Sequence, residues 1–197
     1  MIKAIIFDMG GVLLIQNHKE IFSKFAKITK IEIWDNKAFW KLRSKLPTGR
    51  TTSSKAFSVL STKEKSLKEI MKVYGICYEK FSPKNKEVFS LLNNLKKRYR
   101  LYLLSNTNPL HYSINKKRGV YKPFAKSFLS FKLRMKKPDK RFYRHALKDI
   151  RLKPEEVVFI DDQKKNIIVA NELGMKGIIF EDCNQLVRDL KKLGIKC

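Results

Sequence analysis

Short runs of apolar residues, each closed by a polar one, recur along the chain. Lys3-Ala-Ile-Ile-Phe7 ends at Asp8, with Gly10 and Gly11 close behind. Leu101-Tyr-Leu-Leu104 ends at Ser105, Glu156-Val-Val-Phe-Ile160 at Asp161, and Lys176-Gly-Ile-Ile-Phe180 at Glu181. Ser127-Phe-Leu-Ser130 is a weaker run of the same kind. Runs this short, bounded by turn residues, read as buried strands. Between them the apolar period changes. Val88, Leu91, Leu92 and Leu95 recur on one helical face; Phe142, Ala146 and Ile150 do so further on. Ile167, Ala170 and Leu173 line a third face, with Gly174 placed to stop that helix. Strands alternating with helices predict an α/β fold with a parallel, helix-covered sheet.

Residues 15–82 follow a different pattern. Their apolar residues, among them Ile21, Phe22, Phe25, Ile28, Phe39, Trp40, Phe57, Leu60, Leu67 and Ile70, keep helical spacing without a strand-like run. This stretch reads as a helical insert between the first strand and the rest, and Trp34 and Trp40 read most simply as part of its core.

The 197 residues suffice for one core with a small satellite domain. With 43% hydrophobic residues the chain reads as globular, and no run approaches the ~18 apolar residues of a membrane span. Met1–Phe7 is too short for a secretory leader. Cys77, Cys183 and Cys197 form neither a disulfide framework nor a metal spacing, so the cytosol is the expected compartment.

The formal charge is +26, and residues 88–138 hold no acidic residue at all. Such a balance steers anions and admits nucleic acid as a partner. The excess is carried mostly by Lys, whereas Arg is the residue of bidentate phosphate and base recognition. With no basic tail besides, nucleic acid is not the favoured reading.

Ligands of open parallel sheets bind beyond the carboxyl ends of the strands. Asp8, Ser105-Asn106, Lys137-Pro138 and Asp161-Asp162 fall at or near such ends. Asp8 could be a nucleophile or a metal ligand, and Asp161 and Asp162 could complete an oxygen site of the kind that suits Mg²⁺. Ser105 could donate to an anion, and Lys137 could neutralise a transferring phosphoryl group.

In these residues the sequence resembles the haloacid dehalogenase-like hydrolases. Four motifs carry the resemblance: Ile5-Ile-Phe-Asp8-Met-Gly10-Gly-Val12, Leu103-Leu-Ser105-Asn-Thr107, Lys136-Lys137-Pro138-Asp139, and Val158-Phe-Ile-Asp161-Asp162 with Asn166 and Gly174 beyond. The resemblance implies a Rossmann-like core over residues 1–14 and 84–197, with a small helical cap over 15–83. It further implies a Mg²⁺-dependent phosphatase of a small phosphorylated metabolite. Asp8 would be the nucleophile, forming an aspartyl-phosphate. Asp8, the carbonyl of Gly10, and Asp161 or Asp162 would hold the metal, while Ser105, Asn106 and Lys137 would hold the phosphate.

The sequence departs from the family pattern at Gly10, where many members carry a second Asp that serves as general acid and base. Arg134 is a second departure, at a place where many relatives carry Gly. Gly10 and the charge together keep in view a catalytically weak polyanion-binding protein of the same fold. A metal-free 2-haloacid dehalogenase is the third reading; the paired acids and Gly10 count against it. His18, His111 and His145 show no metal spacing. No membrane partner is expected.

Overall fold

The computed structural model describes all residues, 1–197. Five strands, β1 (Ala4–Phe7), β2 (Arg100–Ser105), β3 (Lys126–Leu129), β4 (Val157–Asp161) and β5 (Lys176–Ile179), form one sheet in the order β3-β2-β1-β4-β5. Every neighbouring pair is parallel. Each expected strand is present within a residue or two of its apolar run, Ser127–Ser130 included. The order reverses at β1, which is the switch point where such sheets open a crevice. Phe7 pairs with both Leu103 and Ile160, so the residues that follow β1, β2 and β4 emerge at one edge.

Side chains alternate between two buried layers, as the strand period of two requires. Ile5, Phe7, Leu101, Leu103, Val158 and Ile160 face one layer. It is closed by α5 (Lys86–Leu95) and α10 (Cys183–Lys192). Ala4, Ile6, Tyr102, Leu104, Val157 and Phe159 face the other, under α8 (Lys140–Ile150) and α9 (Lys164–Glu172). The sheet is thus covered on both faces, a Rossmann-like arrangement. Val88, Leu91, Leu92 and Leu95 are all buried, as are Phe142, Ala146 and Ile150. Gly174 follows α9 with φ +88°, a left-handed turn that ends the helix.

Between β1 and α5 the chain is helical: α1 (His18–Thr29), α2 (Lys37–Arg43), a 3-10 turn Leu46–Thr48, α3 (Ser53–Ser58) and α4 (Leu67–Lys80). These helices share a buried cluster of their own, built around Phe22, Phe25, Phe39, Phe57, Tyr74 and Tyr78. Its rings meet mostly edge to face or tilted, with centroids 4.7 Å apart for Phe57 and Tyr74. Leu110 and Ile114 of α6 (Pro109–Lys117) pack against it and join the insert to the sheet side of the molecule. Two apolar residues of the insert stay outside this core, Trp34 against expectation. Ile28 lies on the solvent side of α1, 48% exposed, because Ile21, Phe22 and Phe25 already fill its inner face. Trp34 is 47% exposed and stacks on the outside of Trp40, whose indole N–H donates to the Ile33 carbonyl. No helix is long and apolar enough to cross a membrane.

Candidate active site

Asp8 is set directly beyond β1, its N–H donating to the Ile160 carbonyl at 2.8 Å and so continuing the β1–β4 ladder. Asp161 ends β4 and is wholly buried. Lys137 lies in the loop before α8, and its Nζ is 2.7 Å from Asp8 Oδ1 and 2.6 Å from Asp161 Oδ2. Residues far apart in sequence therefore form one buried carboxylate–ammonium–carboxylate group at the sheet edge. Lys136, its neighbour, is exposed. Asp161 is fixed from behind: Oδ1 accepts from the Gln163 N–H at 2.8 Å, and Asn166 Nδ2 donates to both of its oxygens.

Burial pushes the Asp8 carboxyl up to about 7, against the pull of the Lys137 ammonium. Burial would lower the Lys137 pKa, but Asp8 and Asp161 together hold it above its ordinary value. Asp162 is raised by burial and by the charge of Asp161. Carboxylate oxygens of Asp8, Asp161 and Asp162 lie within 4.8 Å of one another. Three clustered carboxylates against one ammonium leave an excess of negative charge on hard oxygen donors. That donor set fits a hard divalent cation. Gly11, at φ +86°, has no room for a side chain, because the Asp162 carboxylate packs over its Cα.

After β2 the chain departs in part from the expected anion site. Ser105 is buried at the end of the strand and does not line the cavity above Asp8, whereas Asn106 and Thr107 do. The Asn106 carboxamide is bonded to the main chain of Lys137. Thr107 belongs to the cavity wall, and its Oγ1 is buried and finds no partner within the protein. It stands in the second motif, yet nothing in the sequence separates its hydroxyl from that of Ser105. Its N–H is fixed by Ser130 Oγ at 3.0 Å.

The cavity holds about 190 Å³ and is closed from above by the insert. Gln16, His18, Arg43, Tyr74 and His111 enter its wall, and no spacing in the sequence marks them. Arg43 is stacked over the Phe22 ring at 5.1 Å and the Trp40 ring at 5.2 Å. His111 lies flat on Tyr78, with ring centroids 3.9 Å apart, and its Nε2 is 3.0 Å from the Tyr74 hydroxyl. Burial, helped by the charge of Arg43, pushes His111 down to about 3, and the same causes lower His18. Both imidazoles are therefore neutral at physiological pH. Arg134 lies outside this cavity, in an outer groove with Arg50 and Lys136.

Comparison with known proteins places these features in a family. The family model "haloacid dehalogenase-like hydrolase" matches residues 2–174. The chain is 26% identical over 193 residues to a D-ribitol-5-phosphate phosphatase of Bacteroides thetaiotaomicron, covering 89% of this chain and 90% of that protein. It is 27% identical over 202 residues to a drimenol cyclase of Aspergillus calidoustus, covering 98% of this chain but only 37% of that larger protein. The solved structure of a HAD family enzyme from Bacteroides thetaiotaomicron, wild-type and in complex with magnesium and inorganic phosphate, has a TM-score of 0.78 to it. That match is at 26% identity and covers 94% of this chain and 99% of that one.

Proposed function

Since the chain belongs to the haloacid dehalogenase-like hydrolases, we propose that it is a Mg²⁺-dependent phosphatase that hydrolyses a small phosphorylated metabolite through an aspartyl-phosphate. The observation that carries this reading is the buried Asp8–Lys137–Asp161 group at the sheet edge. The likeness to a phosphatase and to an enzyme that binds magnesium and phosphate supports it.

Asp8 is the nucleophile in this reading. Lys137, 2.7 Å from Asp8 Oδ1, opposes the effect of burial and favours the ionised form of the nucleophile. Thr107, Asn106 and the Lys137 ammonium line the space where a phosphoryl group would lie. Ser105 holds the phosphate only if its hydroxyl turns toward that space. Mg²⁺, when bound by Asp8, the Gly10 carbonyl and Asp161 or Asp162, supplies positive charge opposite the phosphoryl oxygens. The insert, taken as a cap over residues 15–83, excludes water and contacts the rest of the substrate.

Gly10 offers no carboxyl to protonate the leaving oxygen, and such a group is worth about 10² to 10⁴ in rate. The polyanion-binding alternative gains nothing from the site itself. A buried carboxylate–ammonium–carboxylate group facing a cavity under the insert serves chemistry better than it serves a surface ligand.

The test is phosphate release from a panel of phosphate esters with Mg²⁺, with EDTA, and with Asp8→Asn. Turnover that needs the metal and disappears in Asp8→Asn is the expected result. Equal rates for wild type and Asp8→Asn in folded, metal-loaded protein would overturn the reading.

A further inference from the structure

Position 10 is where the site is chemically incomplete, and the structure shows what fills the space. The backbone there does not call for glycine, since Gly10, unlike Gly11, is absent from the positive-φ residues. The obstacle is another side chain. A Cβ built on Gly10 would lie 2.6 Å from Gln16 Oε1, 2.9 Å from its Cδ and 3.2 Å from its Nε2. The carboxamide of Gln16 thus lies where a side chain at position 10 would begin. It shares the cavity wall with Asp8 and Gly10.

A carboxamide donates and accepts hydrogen bonds but neither gives up nor takes a proton at neutral pH. The rest of the wall offers no substitute. Lys137 Nζ is committed to two carboxylates. Tyr74 faces His111, and both histidines are neutral.

We propose that Gln16 faces the leaving-group oxygen in place of a general acid, and that the substrates are phosphate compounds whose leaving group departs as a stabilised anion: acyl, enol or aryl phosphates, or phosphoanhydrides. This rests on the phosphatase reading above. In the first step an Asp8 carboxylate oxygen forms a bond to phosphorus. The bond from phosphorus to the leaving oxygen breaks, its electron pair staying on that oxygen. The Gln16 N–H donates to the departing anion, which leaves without a proton. In the second step water adds to phosphorus and the Asp8 carboxylate departs. The water's two protons are first on the dihydrogen phosphate formed, which passes one of them to the released anion or to solvent. Throughout, Gln16 is a hydrogen-bonding residue whose protonation does not change.

The experiment compares kcat/KM for 4-nitrophenyl, phenyl, 4-methoxyphenyl and benzyl phosphate, which are similar in size and differ in the basicity of the leaving oxygen. The wild-type rate is expected to fall by about 100-fold or more from 4-nitrophenyl to benzyl phosphate, within the range a missing general acid covers. Gln16→Glu, which has the same shape, should raise the benzyl-to-nitrophenyl ratio about 100-fold. It should also add an alkaline limb to the pH profile, where the new carboxyl loses its proton. The double variant Gly10→Asp/Gln16→Ala places the carboxyl from the other side and should do the same if Gln16→Glu folds poorly. A shallow dependence in wild type overturns the inference and leaves the phosphatase reading standing. So does an unchanged ratio and pH profile in folded variants. No hydrolysis above the Asp8→Asn background by wild type or either variant overturns both.

Discussion

The side chain of Asn106 holds the main chain of Lys137 at both of its polar groups. Oδ1 accepts from the Lys137 N–H at 2.8 Å, and Nδ2 donates to the Lys137 carbonyl at 3.0 Å. A residue at the end of β2 thereby sets the position of an ammonium that lies between Asp8 and Asp161. The pairing gives Asn106 a positioning task beside its place in the cavity wall.

Asn106→Ala should therefore cost both stability and rate. It removes two part-buried hydrogen bonds to the Lys137 main chain, a loss of about 1–3 kcal/mol together. For a chain of this size that lowers Tm by several degrees. If the clamp positions Lys137, kcat/KM for any hydrolysed ester falls by about tenfold, and Asn106→Asp, which keeps only the acceptor, falls between. Calorimetry and steady-state kinetics on the three proteins check this; an Ala variant with wild-type kinetics would show that Lys137 needs no such support.

The sheet and its site edge were legible because strands buried on both faces must be apolar along their whole length. Asp8, Lys137 and Asp161 stand out against such runs, and the structure brings them together. The insert was legible only as helical. Its aromatic cluster is assembled from four helices, and one sequence period cannot say that Ile28 turns outward or that Trp34 stacks outside Trp40. Gln16, Arg43 and His111 reach the cavity through the way the insert sits on α6. That placement is tertiary and leaves no local mark. Ser105 ends β2 while Thr107 lies two residues beyond it and lines the cavity, and no pattern of residue types decides between them.

Lys137→Met tests the charge balance of the site. It leaves Asp8 and Asp161 buried with no counter-ion; their side chains are 8% and 0% exposed. Removing one partner of a buried ion pair costs about 3–5 kcal/mol. The variant should be marginal in EDTA. It should also gain more Tm from added Mg²⁺ than wild type does, because a divalent cation replaces the lost charge. Equal Mg²⁺ shifts in the two proteins would argue that no cation binds among the carboxylates.

Asp162 gives the complementary test. It is the most exposed member of the acidic cluster and makes no ion pair, so Asp162→Asn should leave the fold intact. Loss of a carboxylate oxygen from the cluster should weaken Mg²⁺ about tenfold or more, read as the Mg²⁺ concentration that gives half the maximal Tm shift. An unchanged concentration would assign the direct ligand to Asp161 rather than Asp162.

His111 sets a pH dependence of stability. Its free value is 6.5, and burial brings it to about 3 in the folded protein. Between those values the unfolded chain carries the proton and the folded chain does not, so acidification favours unfolding. The stability contributed by the neutral ring is complete above pH 6.5 and is lost as pH falls toward 3. His111→Phe keeps the stack on Tyr78 and removes the titration. Its urea midpoint should fall less than that of wild type between pH 7 and pH 4.5. Asp8 and His18 titrate in both proteins and largely cancel in the difference. Parallel declines would place His111 in water rather than between Tyr74 and Tyr78.

Gly49 joins the insert to the sheet side of the molecule, and its substitution separates the two. It follows the 3-10 turn with φ +64°, and a Cβ there would lie 2.7 Å from the carbonyl oxygen of Phe131. Phe131 belongs to α7 (Ser130–Leu133), whose first residue fixes Thr107. An added methyl meets backbone, which no rotamer change relieves, and the left-handed conformation costs alanine a further ~1–2 kcal/mol. Gly49→Ala must therefore lift the turn away from α7. Leu46 and Pro47, three and two residues upstream, line the cavity above Asp8 and move with it. The expected outcome is a Tm lowered by several degrees and a KM raised several-fold, with a smaller change in kcat because Asp8 and Lys137 stay in place. Gly49→Asn tolerates the left-handed backbone but still carries a Cβ. It should recover part of the stability and none of the KM. Recovery of both would trace the whole effect to backbone strain and would mean that the turn can leave α7 without disturbing the cavity.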